Sequence, residues 1–278
     1  MSSRLDQVFE RCRNESRAAL IGYLTAGDPN IQTSEKLMLS LADQVDIIEI
    51  GMPFSDPMAD GPVIQAASER ALEAGTHISD VFKIAEKVRK KHPTIGIILM
   101  GYANVPYTIG FETFAKKAEQ AGVDGVLLVD IPAEESGICA DVLKAHNLCQ
   151  IMLLAPTSTE ERIRLAAEVG QGFIYYVSLA GITGAEMGEV GKIKDKLSLI
   201  RQYSKLPVCV GFGVKNSKQA SDISIFADGV VVGSHFVNQI TANIGDEEAM
   251  IKDLFESAHV LASAMKKKSY GGNYGVGA

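Results

Sequence analysis

Glu49 is the residue most out of keeping with its neighbours. It interrupts an apolar run, Ile47-Ile48-Glu49-Ile50, where a carboxylate either finds a salt-bridge partner in the core or faces a cavity. In a cavity, desolvation raises its pKa and lets it act as acid or base near neutral pH. Two more carboxylates follow in the next loop: Asp56 in Ser55-Asp56-Pro57 and Asp60 in Ala59-Asp60-Gly61. Either alone is ordinary turn chemistry. Together with Glu49 they set carboxylates above one cavity, as chemistry divided between two acids requires. Two glycine turns nearer the C-terminus, Gly211-Phe212-Gly213 and Gly233-Ser234, suggest anion binding. Glycine lets backbone N–H groups approach a phosphate closely, and the Ser234 hydroxyl adds a donor. No lysine or arginine lies within these turns, so backbone donors and a helix dipole would have to suffice. The five histidines (His77, His92, His146, His235, His259) show no HExxH or other ligand spacing, so no metal is expected. No lysine sits at a strand end as a Schiff-base aldolase would need, which favours acid–base chemistry over an imine route.

These groups must be held by the elements between them. Eight short apolar runs begin at Ala19 (ALIGYL), Asp46 (DIIEI), Ile95 (IGIILM), Val123 (VDGVLLV), Gln150 (QIMLLA), Phe173 (FIYYV), Pro207 (PVCVGF) and Gly229 (GVVVG). Continuous apolar runs of this kind are strands buried on both faces, as in a parallel sheet. Between them the spacing turns helical: Val81, Ile84, Ala85, Val88; Phe111, Phe114, Ala115, Ala118; Ile251, Leu254, Phe255, Ala258. Leu5, Val8, Phe9 and Cys12 repeat the pattern before the first strand and predict an extra helix closing the bottom. The reading is a single-domain α/β protein, a (β/α)8 TIM barrel over residues 1–265, followed by a disordered glycine-rich tail, 266–278. The rival, a doubly wound open sheet, would announce itself with G-x-G-x-x-G after the first strand, where this chain has TAGDPN.

Alternation along the second strand puts Glu49 on the side of Val45 and Ile47. The longest interval, after that strand, holds the loop GMPFSDPMADGP and room for two helices. The segment after the sixth strand carries Gly181, Gly184, Gly188 and Gly191, a composition suited to a lid. Both loops fall on the C-terminal face, where barrel active sites sit.

Composition narrows the function classes. With 27 basic and 34 acidic residues the net charge is −7, and no basic cluster precedes the C-terminus, which argues against nucleic-acid binding. No apolar stretch approaches the roughly 18 residues of a membrane span, and the charged N-terminus lacks the core of a secretory signal. Cys12, Cys139, Cys149 and Cys209 form no C-x-x-C pair, so neither a zinc site nor a disulfide framework is indicated. A cytoplasmic protein is expected.

The stretch IEIGMPFSDPMADGP, residues 48–62, resembles the signature of the tryptophan synthase alpha subunit family. Further matches follow in order: GDP at 27–29, YAN at 102–104, VDIP at 129–132, GITGA at 181–185, GFGV at 211–214 and VGS at 232–234. The resemblance implies retro-aldol cleavage of indole-3-glycerol phosphate to indole and glyceraldehyde 3-phosphate, with no cofactor in this chain. It implies that Glu49 handles the protons at indole C3 and the side-chain hydroxyl, and that Asp60 accepts the indole N–H. It places the substrate among Tyr23, Met100, Leu127, Tyr175, Thr183, Phe212 and Val231, and its phosphate at Gly184, Gly211, Gly213, Gly233 and Ser234. It also implies a beta subunit carrying pyridoxal phosphate, in an alpha2-beta2 tetramer, with Pro53, Asp56, Pro57, Asn104 and Pro132 as the docking surface. Leu179 and Ala180 depart from polar residues in relatives, and Met52 and Met58 fall at variable positions. A free-standing lyase and a non-catalytic activating subunit remain alternative readings.

Overall fold

Apolar strands alternate with amphipathic helices through the computed structural model, which describes residues 3–178, 187–211 and 213–265, with the backbone alone at 187–190. The strands are β1 (Ala19–Thr25), β2 (Ile47–Gly51), β3 (Gly96–Gly101), β4 (Gly125–Leu128), β5 (Cys149–Gln150), β6 (Met152–Leu154), β7 (Ile174–Val177), β8 (Val208–Gly211) and β9 (Gly229–Val232). All pair in parallel, in the order β5-β4-β3-β2-β1-β9-β8-β7-β6. The two ends of that order, β5 and β6, are pieces of the one strand expected from Gln150, separated only by Ile151. The ring therefore closes through this strand, an eightfold barrel read as nine ladder segments. Two helices, Pro62–Glu73 and Ile78–Lys91, fill the interval between β2 and β3, and Pro62 opens the first of them, where its missing N–H costs nothing.

Burial on both faces divides the core into two. An outer cluster packs the sheet against its helices. An inner one fills the barrel with Ile21, Ile47, Ile98, Leu127, Ile151 and Cys209 among others, and the helix Arg4–Asn14 plugs its base with Leu5, Val8, Phe9 and Cys12. Phe9 meets Phe173 edge-on at 5.7 Å. A Cβ on Gly96 would stand 2.7 Å from Leu5 Cδ2, so the plug needs glycine there. One sequence expectation changes: Val45 belongs to the outer cluster, because β2 begins only at Ile47, after Asp46 has turned the chain.

Three aspartates that precede strands lock the base. Asp46 accepts from Leu20 N at 3.0 Å and Arg17 Nη2 at 2.7 Å. Asp124 accepts from Ile97 N at 2.8 Å and Arg89 Nη2 at 2.7 Å. Asp228 accepts from Val208 N at 3.0 Å and Arg201 Nη2 at 2.8 Å. Each carboxylate ties its own strand to the N–H of a neighbour and to an arginine, a charge-assisted clamp that fixes register at the base. At the top, Arg70 of the helix Pro62–Glu73 grips buried Asp28 of the loop after β1 with two 2.7 Å bonds. No described helix is long and apolar enough to cross a membrane. The glycine-rich segment at 179–186, the tail 266–278 and Phe212 lie outside the described residues, and with them the expectations placed on Leu179, Ala180, Gly181, Thr183 and Gly184.

Candidate active site

Parallel pairing sets Glu49 opposite Tyr23 on β1 and Ile98 on β3. Strand alternation then points it inward with Ile47, into the upper part of the barrel. The side chain is fully buried, and neither carboxyl oxygen has a hydrogen-bond partner among the described residues. Burial, with a smaller push from the charge on Asp60, raises its pKa from an ordinary 4.5 to about 8. A carboxyl left unpaired in an apolar chamber is costly to the fold, and such cost is retained where the group does chemistry.

Asp60 comes from the loop between β2 and the helix Pro62–Glu73. Tyr102, just beyond β3, holds it: the phenol donates to Asp60 Oδ2 at 3.0 Å and accepts from Ala59 N at 2.9 Å. The Tyr102 ring stacks on Phe54 of the same loop, centroids 5.1 Å apart, and Gln65 Nε2 donates to the Asp60 carbonyl at 2.8 Å. Desolvation raises the Asp60 pKa and the Tyr102 bond opposes it. Two carboxyls thus share one chamber with different surroundings, Glu49 fully buried without a described partner, Asp60 bonded and half-buried.

The chamber, about 220 Å³, has walls of Tyr23, Met100, Tyr175 and Val231. Tyr23 tilts its hydroxyl to 3.0 Å from Thr25 Oγ1, over Gly51, where a Cβ would stand 2.2 Å from the Tyr23 oxygen. Gly211 makes similar room for Tyr175, whose oxygen a Cβ there would meet at 2.8 Å. Across from the carboxyls, Gly211, Gly213, Gly233 and Ser234 line the same chamber. Gly213 has φ +63°, a left-handed backbone that suits glycine. The helix Ser234–Ala242 starts from Gly233 at the chamber wall, and no described side chain caps its first N–H groups.

The comparisons with known proteins cover nearly the whole chain. The family model described as "Tryptophan synthase alpha chain" matches residues 9–267. The chain belongs to that family. It is 48% identical over 269 residues to the tryptophan synthase alpha chain of Thiobacillus denitrificans, covering 96% of this chain and 98% of the relative. It is 44% identical over 271 residues to that of Zymomonas mobilis, covering 96% and 99%. Among solved structures it superposes on the alpha subunit of Legionella pneumophila with a TM-score of 0.88 at 36% identity, covering 95% and 99%. Mycobacterium tuberculosis tryptophan synthase gives a TM-score of 0.88 at 34% identity, covering 96% and 100%. The chain is therefore an alpha subunit of tryptophan synthase by family, and its fold is the TIM barrel of these neighbours.

Ten of the expected site residues meet in the one chamber: Glu49, Asp60, Tyr23, Met100, Tyr175, Val231, Gly211, Gly213, Gly233 and Ser234. Leu127 does not. It is fully buried below the chamber, and Val129, two residues on, lines the wall in its place. Val129 and Val177 were legible as the last inward positions of their runs by the period of two, and Leu153 as the last but one. Ile64 and Ser178, also on the wall, carry no such signal. On the outer rim Asp56, Asn104 and Pro132 are exposed, and Pro53 and Pro57 are half-buried. No three His, Cys, Asp or Glu side chains group as metal ligands among the described residues.

Proposed function

We propose that this chain cleaves indole-3-glycerol phosphate to indole and glyceraldehyde 3-phosphate. The observation that carries the reading is Glu49, buried and unpartnered beside Asp60, in a chamber whose far side is built from glycine turns and an uncapped helix start. With its pKa pushed up to about 8, Glu49 is protonated at neutral pH and can give its proton to indole C3. The ring nitrogen then carries the positive charge, and Asp60, accepting its N–H, stabilises it. The Glu49 carboxylate takes the proton of the side-chain hydroxyl. As the aldehyde forms, the carbon–carbon bond pair returns to the ring and indole leaves. Glu49 ends protonated, ready for the next cycle, and no cofactor enters in this chain. The phosphate would rest on the N–H groups of Gly213, Gly233 and Ser234, with Gly184 as a further donor.

The partner would be a beta subunit carrying pyridoxal phosphate, in an alpha2-beta2 tetramer, which receives indole directly. Pro53, Asp56, Pro57 and Pro132 lie on loops and Asn104 opens the helix Asn104–Ile109, all in the segments that follow β2, β3 and β4. Large apolar side chains stand exposed near them in sequence: Met58 at 83%, Tyr107 at 73% and Ile138 at 55%. Exposed apolar side chains close in sequence to these residues support docking. Four free, buried cysteines suit a reducing, cytoplasmic setting. The experiment is to follow indole-3-glycerol phosphate cleavage while the chain is titrated with its beta subunit. Weak activity alone should rise by one to two orders of magnitude, roughly 1–3 kcal/mol of coupling. Full activity already present without partner identifies a free-standing lyase. Absence of cleavage throughout, with the partner's own reaction accelerated, identifies a non-catalytic activator.

A further inference from the structure

The helix Ser234–Ala242, whose uncapped start faces the chamber, is fixed from behind by two side-chain bonds to the helix Glu247–Ala264. At its start, His235 is absent from the chamber wall and brings Nε2 within 2.7 Å of Ser257 Oγ. At its end, Asn243 Nδ2 donates to Asp253 Oδ2 at 3.0 Å. His235 lines a second cleft of about 430 Å³ together with Lys215, Asn216, Asp253, Glu256 and Ser257. Lys215 stands two residues after Gly213, so this cleft backs onto both glycine turns.

We propose that His235 and Ser257 are a positioning pair that holds the start of the helix Ser234–Ala242 in register with the Gly213 turn, and so sets the affinity of the chamber for a phosphomonoester. The inference rests on the phosphate reading above. Backbone donors cannot reorient one at a time as side chains do; they point where the helix start points, and a displacement of about 1 Å misaligns the whole set. The residue bearing the anchor immediately follows the one whose hydroxyl and N–H face the phosphate, so no flexible chain absorbs its loss. A bond to the C-terminal helix transmits nothing to the carboxyls across the chamber, so proton transfer at Glu49 is unaffected.

The test is calorimetric titration of the full chain with glycerol 3-phosphate, for the parent, Ser257→Ala, His235→Phe, His235→Gln and the double variant Ser257→Ala/His235→Phe. Losing one neutral hydrogen bond should weaken binding by about 3- to 10-fold in each single variant that breaks the pair. The double variant should be no weaker than either single, because both remove the same bond. Glutamine, whose amide can donate to or accept from the Ser257 hydroxyl, should restore most of the affinity. With substrate, KM should rise by the same factor while kcat moves less than about twofold, a split that general loosening of the barrel would not give. Parent-like affinity in Ser257→Ala, or losses that add in the double variant, would overturn the pair. A parent that binds no glycerol 3-phosphate would overturn the phosphate reading itself, and the pair with it.

Discussion

Replacing Glu49 with glutamine should make the protein more stable and inactive, and the stabilisation should grow with pH. In the unfolded chain a glutamate ionises near 4.5; in the folded chain Glu49 ionises near 8, chiefly because it is stripped of water. A group whose pKa rises on folding contributes stability that is complete below its unfolded pKa and lost as pH climbs through its folded one. For Glu49 that window runs from about 4.5 to about 8. At ~1.36 kcal/mol per pH unit, the native protein at pH 9 carries a penalty of up to about 5 kcal/mol relative to its protonated form, against about 1 kcal/mol at pH 5. Glutamine keeps the shape and stays uncharged, and its amide enters the same unpartnered position as the protonated acid, so the variant escapes the penalty.

Thermal or urea unfolding of both proteins across pH 5 to 9 reads this directly. The curves should nearly coincide at the acid end and diverge on the alkaline side, reaching a gap of roughly 10–20 °C for a domain of this size. Lyase turnover of the variant should fall by at least about 10²-fold at every pH, the usual contribution of a positioned acid–base group. A constant difference in stability across the range would refute the desolvated Glu49. Near-normal turnover would refute its role as the proton carrier.

Tyr102→Phe removes the donor to Asp60 Oδ2 and the acceptor for Ala59 N while keeping the ring on Phe54. Hydrogen bonds to charged groups are worth ~1.5–3 kcal/mol, so kcat/KM should fall about 10- to 100-fold. Because that bond favours ionised Asp60, its loss raises the Asp60 pKa further, and the acid limb of the pH–rate profile should move to higher pH; an unmoved limb would separate Tyr102 from Asp60 function. Gly213→Asp places a carboxylate and a strained left-handed residue at φ +63° in the glycine turn, and should sharply weaken glycerol phosphate binding. Gly75→Asp is the matched control, with φ +80°, open space around it and a place beyond the helix Pro62–Glu73, and it should bind as the parent does. Equal affinities in the two variants would put the phosphate elsewhere.

How much of this was legible beforehand follows from which contacts are local. The period of two along the second strand put Ile47 and Glu49 on one side while leaving open which way that side faces, and the period of 3.6 told that Leu5, Val8, Phe9 and Cys12 form one apolar face. Alternation could not supply the strand's first residue, which is why Val45 was expected on the wrong side: Asp46 leaves the strand to bind Arg17 and Leu20, a partnership with residues far back in the chain. Asp60 was visible as a carboxylate after the second strand, but the tyrosine that holds it lies 42 residues away, and only the pairing of β2 with β3 brings the two together.

Height within the barrel was the hardest quantity to read, because it belongs to the ring and to no single strand. Backbone pairing sets Glu49 opposite Tyr23 and Ile98, and Met100 opposite Leu127. Yet Met100 reaches the chamber and Leu127 stays beneath it. Closed barrels tilt and stagger their strands, so a level plane through the chamber climbs in residue number from strand to strand. The wall accordingly passes from Met100 to Val129, one inward position above Leu127, and Gly213 joins it from beyond the end of β8. Sequence alternation names the candidates on each strand; the stagger of the ring selects among them. A carboxyl such as Glu49 escapes this ambiguity because only one inward position in its strand is polar.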